Sequence, residues 1–236
     1  REVKEYTIEA GRPDSITREK LEVIRKYPVT RISVNPQTMN QATLDLIGRR
    51  HTVEDTRHAF ALARECGFDN INMDLIVGLP GECAKDVQKT LEEVKKMEPD
   101  SLTVHSLAIK RATRLHLFQD RYQEMSFENN QEIMDLTMKT AYEMGMGPYY
   151  LYRQKNMKGN FENVGYAKVD KAGIYNILIM EEKQPIIALG AGGSSKLVFD
   201  HGQRIERVEN VKDVSNYISR IDEMIERKRT AIATWL

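Results

Sequence analysis

The residues best suited to chemistry stand at or near the ends of short apolar runs. They are Glu9 in TIEAGRP, Gln37 in RISVNPQTMN, Arg49 in LIGRRHT, Asp74 in NINMDLIVGLPGE and Ala108 after SLTVHSL. A carboxylate, an amide and a guanidinium brought together suit a small molecule with hydroxyl, amino and carboxylate groups. The same charges also suit a buried salt-bridge network, in which Glu9 or Asp74 pairs with Arg49 and only orders the loops. The residue types by themselves leave both interpretations open.

The elements that must position these residues follow from the apolar pattern of the first half. Strands are predicted at 6–10, 31–34, 71–77 and 101–109, and helices at 17–26, 41–47, 52–66 and 87–97. Strands that alternate with helices are typical of a parallel sheet in an α/β fold. The carboxyl ends of parallel strands meet at one rim, where α/β barrels hold their active sites. We therefore expect the five residues to converge.

The pattern changes after about residue 111, and we place a domain boundary near residue 112. A longer helix is predicted over 127–144, followed by a polar, aromatic loop over 149–165. Closely spaced strands are predicted at 174–180, 186–189, 196–200 and 205–208, and an apolar stripe over 214–225 predicts a closing helix. The expected organisation is an α/β unit over 1–112 and a small α+β domain over 113–236.

Composition excludes several classes of function. The chain has 35 basic and 35 acidic residues, and this balance argues against a general nucleic-acid-binding surface. No apolar run approaches the roughly 18 residues that a membrane span needs. Its two cysteines, Cys66 and Cys83, cannot build a disulfide framework, so we expect a cytoplasmic protein. The chain opens without Met on a strand-like run, which suggests part of a longer protein.

Consecutive blocks of the sequence match a known pattern in order and spacing. TIEAGRP, RISVNPQTMN, LIGRRHTVEDTRHAFALARECGF and NINMDLIVGLPGE, with ENVGYA and LGAGGSSK downstream, resemble the oxygen-independent coproporphyrinogen III oxidase family of radical SAM enzymes. The coproporphyrinogen dehydrogenase branch of the family is the most similar, and the resemblance covers essentially the whole chain. It implies a partial radical SAM (β/α) barrel, formed by the last four of six strands, followed by the family's C-terminal domain.

The resemblance implies that the five residues named above bind S-adenosylmethionine (SAM). Glu9 would hold the ribose hydroxyls or the amino acid end, and Gln37 and Asp74 match further SAM-contacting positions. Arg49 would pair with the SAM carboxylate, which a guanidinium binds through two hydrogen bonds. Ala108 would pack against the adenine.

The chain departs from the family pattern at the metal cluster. The family's C-x-x-x-C-x-x-C motif, which holds a [4Fe–4S] cluster, is absent, as is the G-G-G-T-P segment that contacts the methionine amine. Cys66 and Cys83 cannot replace three thiolate ligands. We therefore expect the cluster's ligands in the complete protein and none in this chain, which should not cleave SAM reductively as it stands.

Two further groups are candidate substrate-binding residues. Aromatic rings can stack on a tetrapyrrole and cations can pair with its propionates, which suits Tyr149, Tyr150, Tyr152, Tyr166, Arg153 and Lys155. The alternative is a tyrosine-rich loop that packs at the barrel mouth. In the resembled family the turn with Gly190 and Gly192 lies near the active-site mouth, so its backbone could contact a substrate. A tight turn that needs positive φ is the alternative.

The implied function is oxidative decarboxylation in haem biosynthesis. A 5′-deoxyadenosyl radical would abstract hydrogen from a propionate of coproporphyrinogen III, and loss of carbon dioxide and an electron would leave a vinyl group. The alternatives are a haem- or porphyrin-binding, chaperone-like protein without oxidase activity, and a scaffold without a ligand. The implied partners are the tetrapyrrole and, in the complete protein, an electron donor. Because a four-strand piece leaves sheet edges uncovered, we also expect self-association through an edge.

Overall fold

The computed structural model describes residues 3–108, 125–153 and 161–235. The strands are β1 (Thr7–Gly11), β2 (Arg31–Val34), β3 (Ile71–Val77), β4 (Ser101–Ser106), β5 (Gly147–Tyr152), β6 (Asn163–Ala167), β7 (Ser194–Phe199) and β8 (Arg204–Glu209). The helices are α1 (Arg18–Ile24), α2 (Gln41–Leu46), α3 (Val53–Glu65), α4 (Ala84–Met97), α5 (Gln131–Glu143), α6 (Ile174–Glu181), α7 (Val214–Ser219) and α8 (Ile221–Trp235).

A six-stranded mixed sheet in the order β1-β2-β3-β4-β6-β5 organises the first part of the chain. β1 to β4 are parallel neighbours in chain order, with helices in the connections. β6 runs antiparallel to β4, and β5 antiparallel to β6. The predicted α/β class and the four parallel strands are confirmed.

Local sequence signals fix the ends of the helices that flank this sheet. Thr52 and Asp55 form a capping box at the start of α3, in which each side chain accepts a hydrogen bond from the other residue's backbone N–H. At the end of α4, Glu98 adopts a left-handed conformation that reverses the chain into β4. The turns that lead from α3 into β3 and from α4 into β4 are therefore short.

The core lies on one face of the sheet. It joins alternate residues of the strands, such as Ile32, Met73 and Leu102, to helix residues such as Phe60 and Leu91. Burial of these side chains removes apolar surface from water, which is the main force that holds helices on a sheet. The opposite face of β2, β3 and β4 carries polar residues.

Two elements of the second half differ from prediction. The predicted loop over 149–165 is wrong in part, because β5 and β6 form an antiparallel pair there and extend the first sheet. The predicted strand over 174–180 is also wrong, because this run forms α6. A short apolar run such as ILIM satisfies both a buried strand and a helix, so periodicity does not separate them. At 186–189 a single bridge joins Ile186 to Lys196.

The chain divides into two compact units, Arg1–Gly173 and Ile174–Leu236. This division falls later than residue 112 because β5 and β6 belong to the first sheet. The domain boundary near residue 112 stays a prediction. In the second unit β7 and β8 form an antiparallel hairpin, and the Trp235 indole N–H on α8 donates to the Val198 carbonyl at 2.7 Å. No helix in the described ranges is long and apolar enough to cross a bilayer.

Candidate functional site

The polar face of the first sheet is the main candidate site. Along β2, β3 and β4, the alternate side chains away from the core are polar except for Ile76. The polar ones are Arg31, Ser33, Asn72, Asp74, Ser101, Thr103 and His105. Strands of buried parallel sheets are usually apolar on both faces. A sheet that keeps one face polar fits a cavity for a polar ligand better than a second core.

Asp74 lies in the middle of this face and is partly buried, with 21% of its side chain exposed. Its Oδ1 accepts a 2.7 Å hydrogen bond from the Asn72 amide, and its Oδ2 lies 3.7 Å from Nε2 of His105. Burial raises the pKa of Asp74, but the interactions with His105, Asn72 and Thr103 outweigh it and leave the pKa below the usual range. Asp74 is therefore an anion at neutral pH. His105 is not among the predicted site residues, because it belongs to no motif and approaches Asp74 only through the pairing of β3 with β4.

Glu9 stands on β1 next to the same face. Its carboxylate accepts a 2.5 Å hydrogen bond from the Ser33 hydroxyl. Ser33 of β2 pairs in register with Asn72 of β3. Glu9, Ser33 and Asp74 therefore lie on three adjacent strands of one polar surface. The Glu9 side chain is otherwise exposed.

Gln37 follows β2 in an unusual backbone conformation. Its φ is 69°, a left-handed value that costs a residue with a side chain about 1 kcal/mol or more. The backbone holds this shape because the Gln37 N–H donates to the Asp74 carbonyl at 3.0 Å and the Gln37 carbonyl accepts from Ile76 N–H at 2.8 Å. Such strain is common where a loop is shaped for a ligand. The two hydrogen bonds place Gln37 against β3 beside Asp74.

Arg49 is a half-buried cation without a carboxylate partner in the part of the chain that the structure describes. Burial lowers its pKa, and the nearby positive charge of Arg12 lowers it further. The proposed salt bridge of Arg49 with Glu9 or Asp74 is therefore wrong for the described residues. Arg12 is itself paired with Asp14, so among the described residues Arg49 is the guanidinium of the two that is left for an anion.

His51 connects the Arg49 loop to the Gln37 loop. Its ring is buried, with Nε2 3.2 Å from the Pro36 carbonyl. Burial lowers the pKa of His51, and the charge of Arg49 adds to the effect, so the ring is neutral at pH 7. Nε2 then donates to Pro36, and Nδ1 is a buried acceptor without a partner among the described residues.

The remaining predicted residues of the first unit lie apart from this cluster or at its edge. Ala108 follows the end of β4 and is half-buried. The rings of Tyr150 and Tyr152 stack with centroids 6.1 Å apart. Burial raises the pKa of Tyr150, and the charge of Asp74 contributes to the same shift, so this ring lies near the polar face. Arg153 is exposed and paired with Glu162.

The other predicted substrate-binding residues are Tyr166, Lys155 and the glycines of the turn at 190–192. Tyr166 belongs to the apolar core, so its predicted contact with a tetrapyrrole is wrong. Lys155 lies outside the described residues. Gly190 and Gly192 have φ of 90° and 72°, and their N–H groups donate to the Tyr217 hydroxyl and the Val211 carbonyl. The positive-φ turn is confirmed, whereas its substrate contact stays a prediction.

The cysteines do not form a metal site. Cys66 ends α3, and Cys83 precedes α4 with its Sγ 3.2 Å from Oδ2 of Asp86. Within 3–108, 125–153 and 161–235, no group of three or more His, Cys, Asp or Glu residues is placed to hold a metal ion. These residues do not fit the ligand set of a [4Fe–4S] cluster.

Comparison with known proteins defines the class to which this fold belongs. Residues 2–94 match the model of the radical SAM superfamily, so the first unit contains a radical SAM domain. The structure of coproporphyrinogen III oxidase HemN from Escherichia coli, a radical SAM enzyme, superposes with a TM-score of 0.67 and 21% identity, covering 93% of this chain and 49% of that one. This similarity confirms the fold.

Within that class, the chain is similar to proteins linked to haem. It is 46% identical to the oxygen-independent coproporphyrinogen-III oxidase-like protein HemZ of Bacillus subtilis, over 96% of this chain and 45% of the relative. It is 28% identical to the haem chaperone HemW of the same organism, over 94% of this chain and 54% of the relative. The resemblance predicted from the sequence is confirmed. The chain spans about half the length of these curated relatives.

Proposed function

We propose that this chain is the SAM-holding part of an oxygen-independent coproporphyrinogen III oxidase-like radical SAM protein, with the substrate-facing domain that follows it. The observation that supports the proposal most strongly is Arg49, a half-buried cation with no described acidic partner, in a radical SAM domain. An uncompensated, partly desolvated guanidinium is costly unless an anion binds to it. The carboxylate of SAM is an anion of the right size and geometry.

The other residues of the polar face suit the rest of the SAM molecule. Glu9 and Asp74 are acceptors for the ribose hydroxyls or the amino group, and Gln37 offers an amide. Ala108, small and half-buried at the end of β4, leaves room for the adenine. When bound, SAM supplies the 5′-deoxyadenosyl group from which radical SAM enzymes obtain their hydrogen-abstracting radical. The chain's own residues bind and orient SAM and keep water from it.

The [4Fe–4S] cluster belongs to the complete protein in this proposal. The residues of this chain do not fit it, since Cys66 and Cys83 are the only cysteines in the sequence. No step of the reaction is assigned to them. An electron donor of the complete protein is part of the same proposal, as is a cytoplasmic location.

A tetrapyrrole is the proposed substrate. In the first unit, Tyr152 and Arg153 offer a ring and a cation next to the stacked Tyr150. Taken by itself, the glycine-rich turn of the second unit, with Gly190 and Gly192, offers backbone groups for a substrate contact. A porphyrinogen with four propionates presents flat rings and negative charges to such groups. The reaction would be oxidative decarboxylation of propionates to vinyl groups.

The second candidate is haem or porphyrin binding without oxidase activity. It is favoured by the similarity to haem chaperones, of which three bacterial examples are 24–28% identical over more than nine-tenths of this chain. Both candidates use the same radical SAM domain. They differ in whether the tetrapyrrole is changed.

The deciding experiment uses the full-length protein, purified without oxygen and with its cluster reconstituted. It is incubated with SAM, a reductant and coproporphyrinogen III, and the tetrapyrrole is analysed by mass spectrometry. Loss of two carbon dioxide units with two vinyl groups supports the oxidase. Unchanged coproporphyrinogen together with stoichiometric haem binding supports the chaperone-like function. Neither conversion nor binding of a tetrapyrrole would overturn both.

A further inference from the structure

We propose that Asn72 is the positioning residue of the SAM site and that it fixes the Asp74 carboxylate through a column of hydrogen bonds that starts at Arg31. Arg31 Nη2 lies 3.3 Å from Ser101 Oγ, which lies 3.0 Å from Asn72 Oδ1. The column ends at Asp74, whose Oδ1 lies 2.7 Å from Asn72 Nδ2. The inference rests on the proposed function, because that assigns Asp74 to SAM.

The directions of the hydrogen bonds are fixed by the two ends of the column, Arg31 and Asp74. A guanidinium only donates, so the Ser101 oxygen accepts from Arg31, and its single proton is available to the Asn72 carbonyl oxygen. The Thr103 hydroxyl donates to the same oxygen at 3.3 Å. Because an ionised carboxylate only accepts, the Asn72 NH₂ must face Asp74, and Oδ1 is left to accept from the two hydroxyls. The reverse orientation would place an amide oxygen against a carboxylate.

Burial makes this arrangement rigid. Arg31 and Asn72 are each 3% exposed, and Ser101 and Thr103 are buried beside them. Water is therefore no substitute partner for these groups, and a broken link leaves a buried donor or acceptor unsatisfied at a cost of about 1–3 kcal/mol. Packing and hydrogen bonding together leave one arrangement for the Asn72 amide.

The consequence for Asp74 is that its two oxygens have different surroundings. Oδ1 is held by Asn72, whereas Oδ2 faces His105 at 3.7 Å on the more open side of the polar face. The titratable groups that interact with Asp74 are His105 of the adjacent strand β4 and Tyr150 of β5, which β4 and β6 separate from β3. Asn72 thus presents Oδ2 to a ligand and keeps the carboxylate charged.

The first test is Asn72→Asp in the full-length protein, with the dissociation constant of SAM measured by equilibrium dialysis at two pH values. In this variant the Ser101 and Thr103 hydroxyls still have an acceptor at position 72, but a carboxylate oxygen replaces the Asn72 NH₂ that faces Asp74. Two adjacent carboxylates share a proton, so Asp74 is protonated at higher pH than in the parent. We expect SAM binding to weaken about tenfold at about pH 6 and to recover towards about pH 8.5. Affinity within about twofold of the parent at both pH values would overturn the inference.

A second pair of variants decides the question if Asn72→Asp does not fold. Ser101→Ala removes the link between Arg31 and Asn72. Ser106→Ala is its matched control, because Ser106 is an equally buried serine of β4 that donates instead to the Glu162 carbonyl at 3.3 Å. We expect Ser101→Ala to weaken SAM binding about threefold to tenfold and Ser106→Ala to leave it unchanged. Equal affinities in the two variants contradict a positioning column.

Asp74→Asn separates failure of this inference from failure of the proposed function. If Asp74→Asn weakens SAM binding and the Asn72 and Ser101 variants do not, the positioning inference is wrong and the SAM site stands. If Asp74→Asn itself binds SAM as the parent does, the assignment of Asp74 to SAM is wrong, and the positioning inference fails with it. Thermal unfolding midpoints of all variants show which of them are folded.

Discussion

His105 of β4 is the diagonal neighbour of Asp74 on the paired strand β3, with Nε2 of the imidazole 3.7 Å from Oδ2 of the carboxylate. The pair is partly accessible on the polar face, whereas the neighbouring Asn72, Ser101 and Thr103 side chains are buried. An imidazole oriented by a carboxylate is also an acid or base within reach of a bound ligand. The pair thus links the buried column to the open part of the site.

Replacement of His105 should change the acid stability of the protein. His105 lowers the pKa of Asp74, so the charged carboxylate contributes stability above its unfolded pKa and loses it as the pH falls through the folded value. In His105→Phe the pKa of Asp74 rises, and we expect the acid unfolding midpoint, followed by circular dichroism, to move to higher pH. His58→Phe, an exposed position of α3, is the control. An unchanged midpoint in His105→Phe would show that the pair has no energetic coupling.

Removal of the Arg49 guanidinium should weaken SAM binding. Loss of a charge-assisted, bidentate contact to a carboxylate costs about 1.5–3 kcal/mol, which corresponds to about tenfold or more in affinity. Arg49→Ala in the full-length protein, measured by titration calorimetry, should show this loss, and Arg49→Lys should recover part of it. Arg50→Ala removes the exposed neighbouring arginine and should have no effect. Equal affinities for the two alanine variants would remove Arg49 from the SAM site.

Glu82 should make stability depend on pH in the opposite sense to Asp74. Its carboxyl is buried and accepts from the Thr38 hydroxyl at 2.7 Å, and burial raises its pKa. The folded state therefore holds a proton more tightly than the unfolded state, and stability falls as the pH rises from the unfolded pKa through the folded one. Glu82→Gln keeps the acceptor without the charge. Relative to the parent, we expect it to gain about 1 kcal/mol in denaturant unfolding between about pH 4 and pH 7. A parallel pH dependence of the two proteins would contradict this expectation.

Gly165 should not tolerate a side chain. A Cβ at this position would lie 2.0 Å from Cε1 of Tyr150, so the ring would have to leave its place on the strand. Gly165→Ala should cost about 1–3 kcal/mol and disturb the stacking of Tyr150 on Tyr152. Gly147→Ala at the start of β5 is the matched control, because its Cβ would meet no atom within 4 Å. Similar unfolding midpoints for both variants would show that the Tyr150 ring moves freely.

The edge formed by β1 should promote self-association of this chain when it is produced by itself. In the described residues β1 pairs only with β2 and leaves its other side without a strand partner. Unpaired backbone groups on an edge strand offer a template for a second copy. Light scattering over a concentration series should show oligomers, and a monodisperse monomer would count against the prediction.

The sequence by itself determined the alternation of strands and helices in the first half. β2 and β3 have the predicted bounds, and the capping box of α3 starts at the predicted Thr52, because these elements depend on local periodicity and capping. The blocks around Glu9, Gln37, Arg49 and Asp74, together with ENVGYA and LGAGGSSK downstream, predicted the resemblance that the comparisons confirm.

Only the tertiary structure decided how the polar residues are paired. The salt bridge predicted as an alternative for Arg49 is absent from the described residues, and Asp74 is paired with His105 and Asn72 instead. Sequence spacing cannot give the register between β3 and β4, which brings Asp74 opposite Thr103 and next to His105. Likewise, residues 149–152 and 163–165 of the predicted loop belong to β5 and β6, because β4 offered an edge for β6 to pair with. The run 174–181 forms α6, although its apolar pattern suits either a strand or a helix. Long-range pairing and burial, which a single sequence does not specify, made these choices.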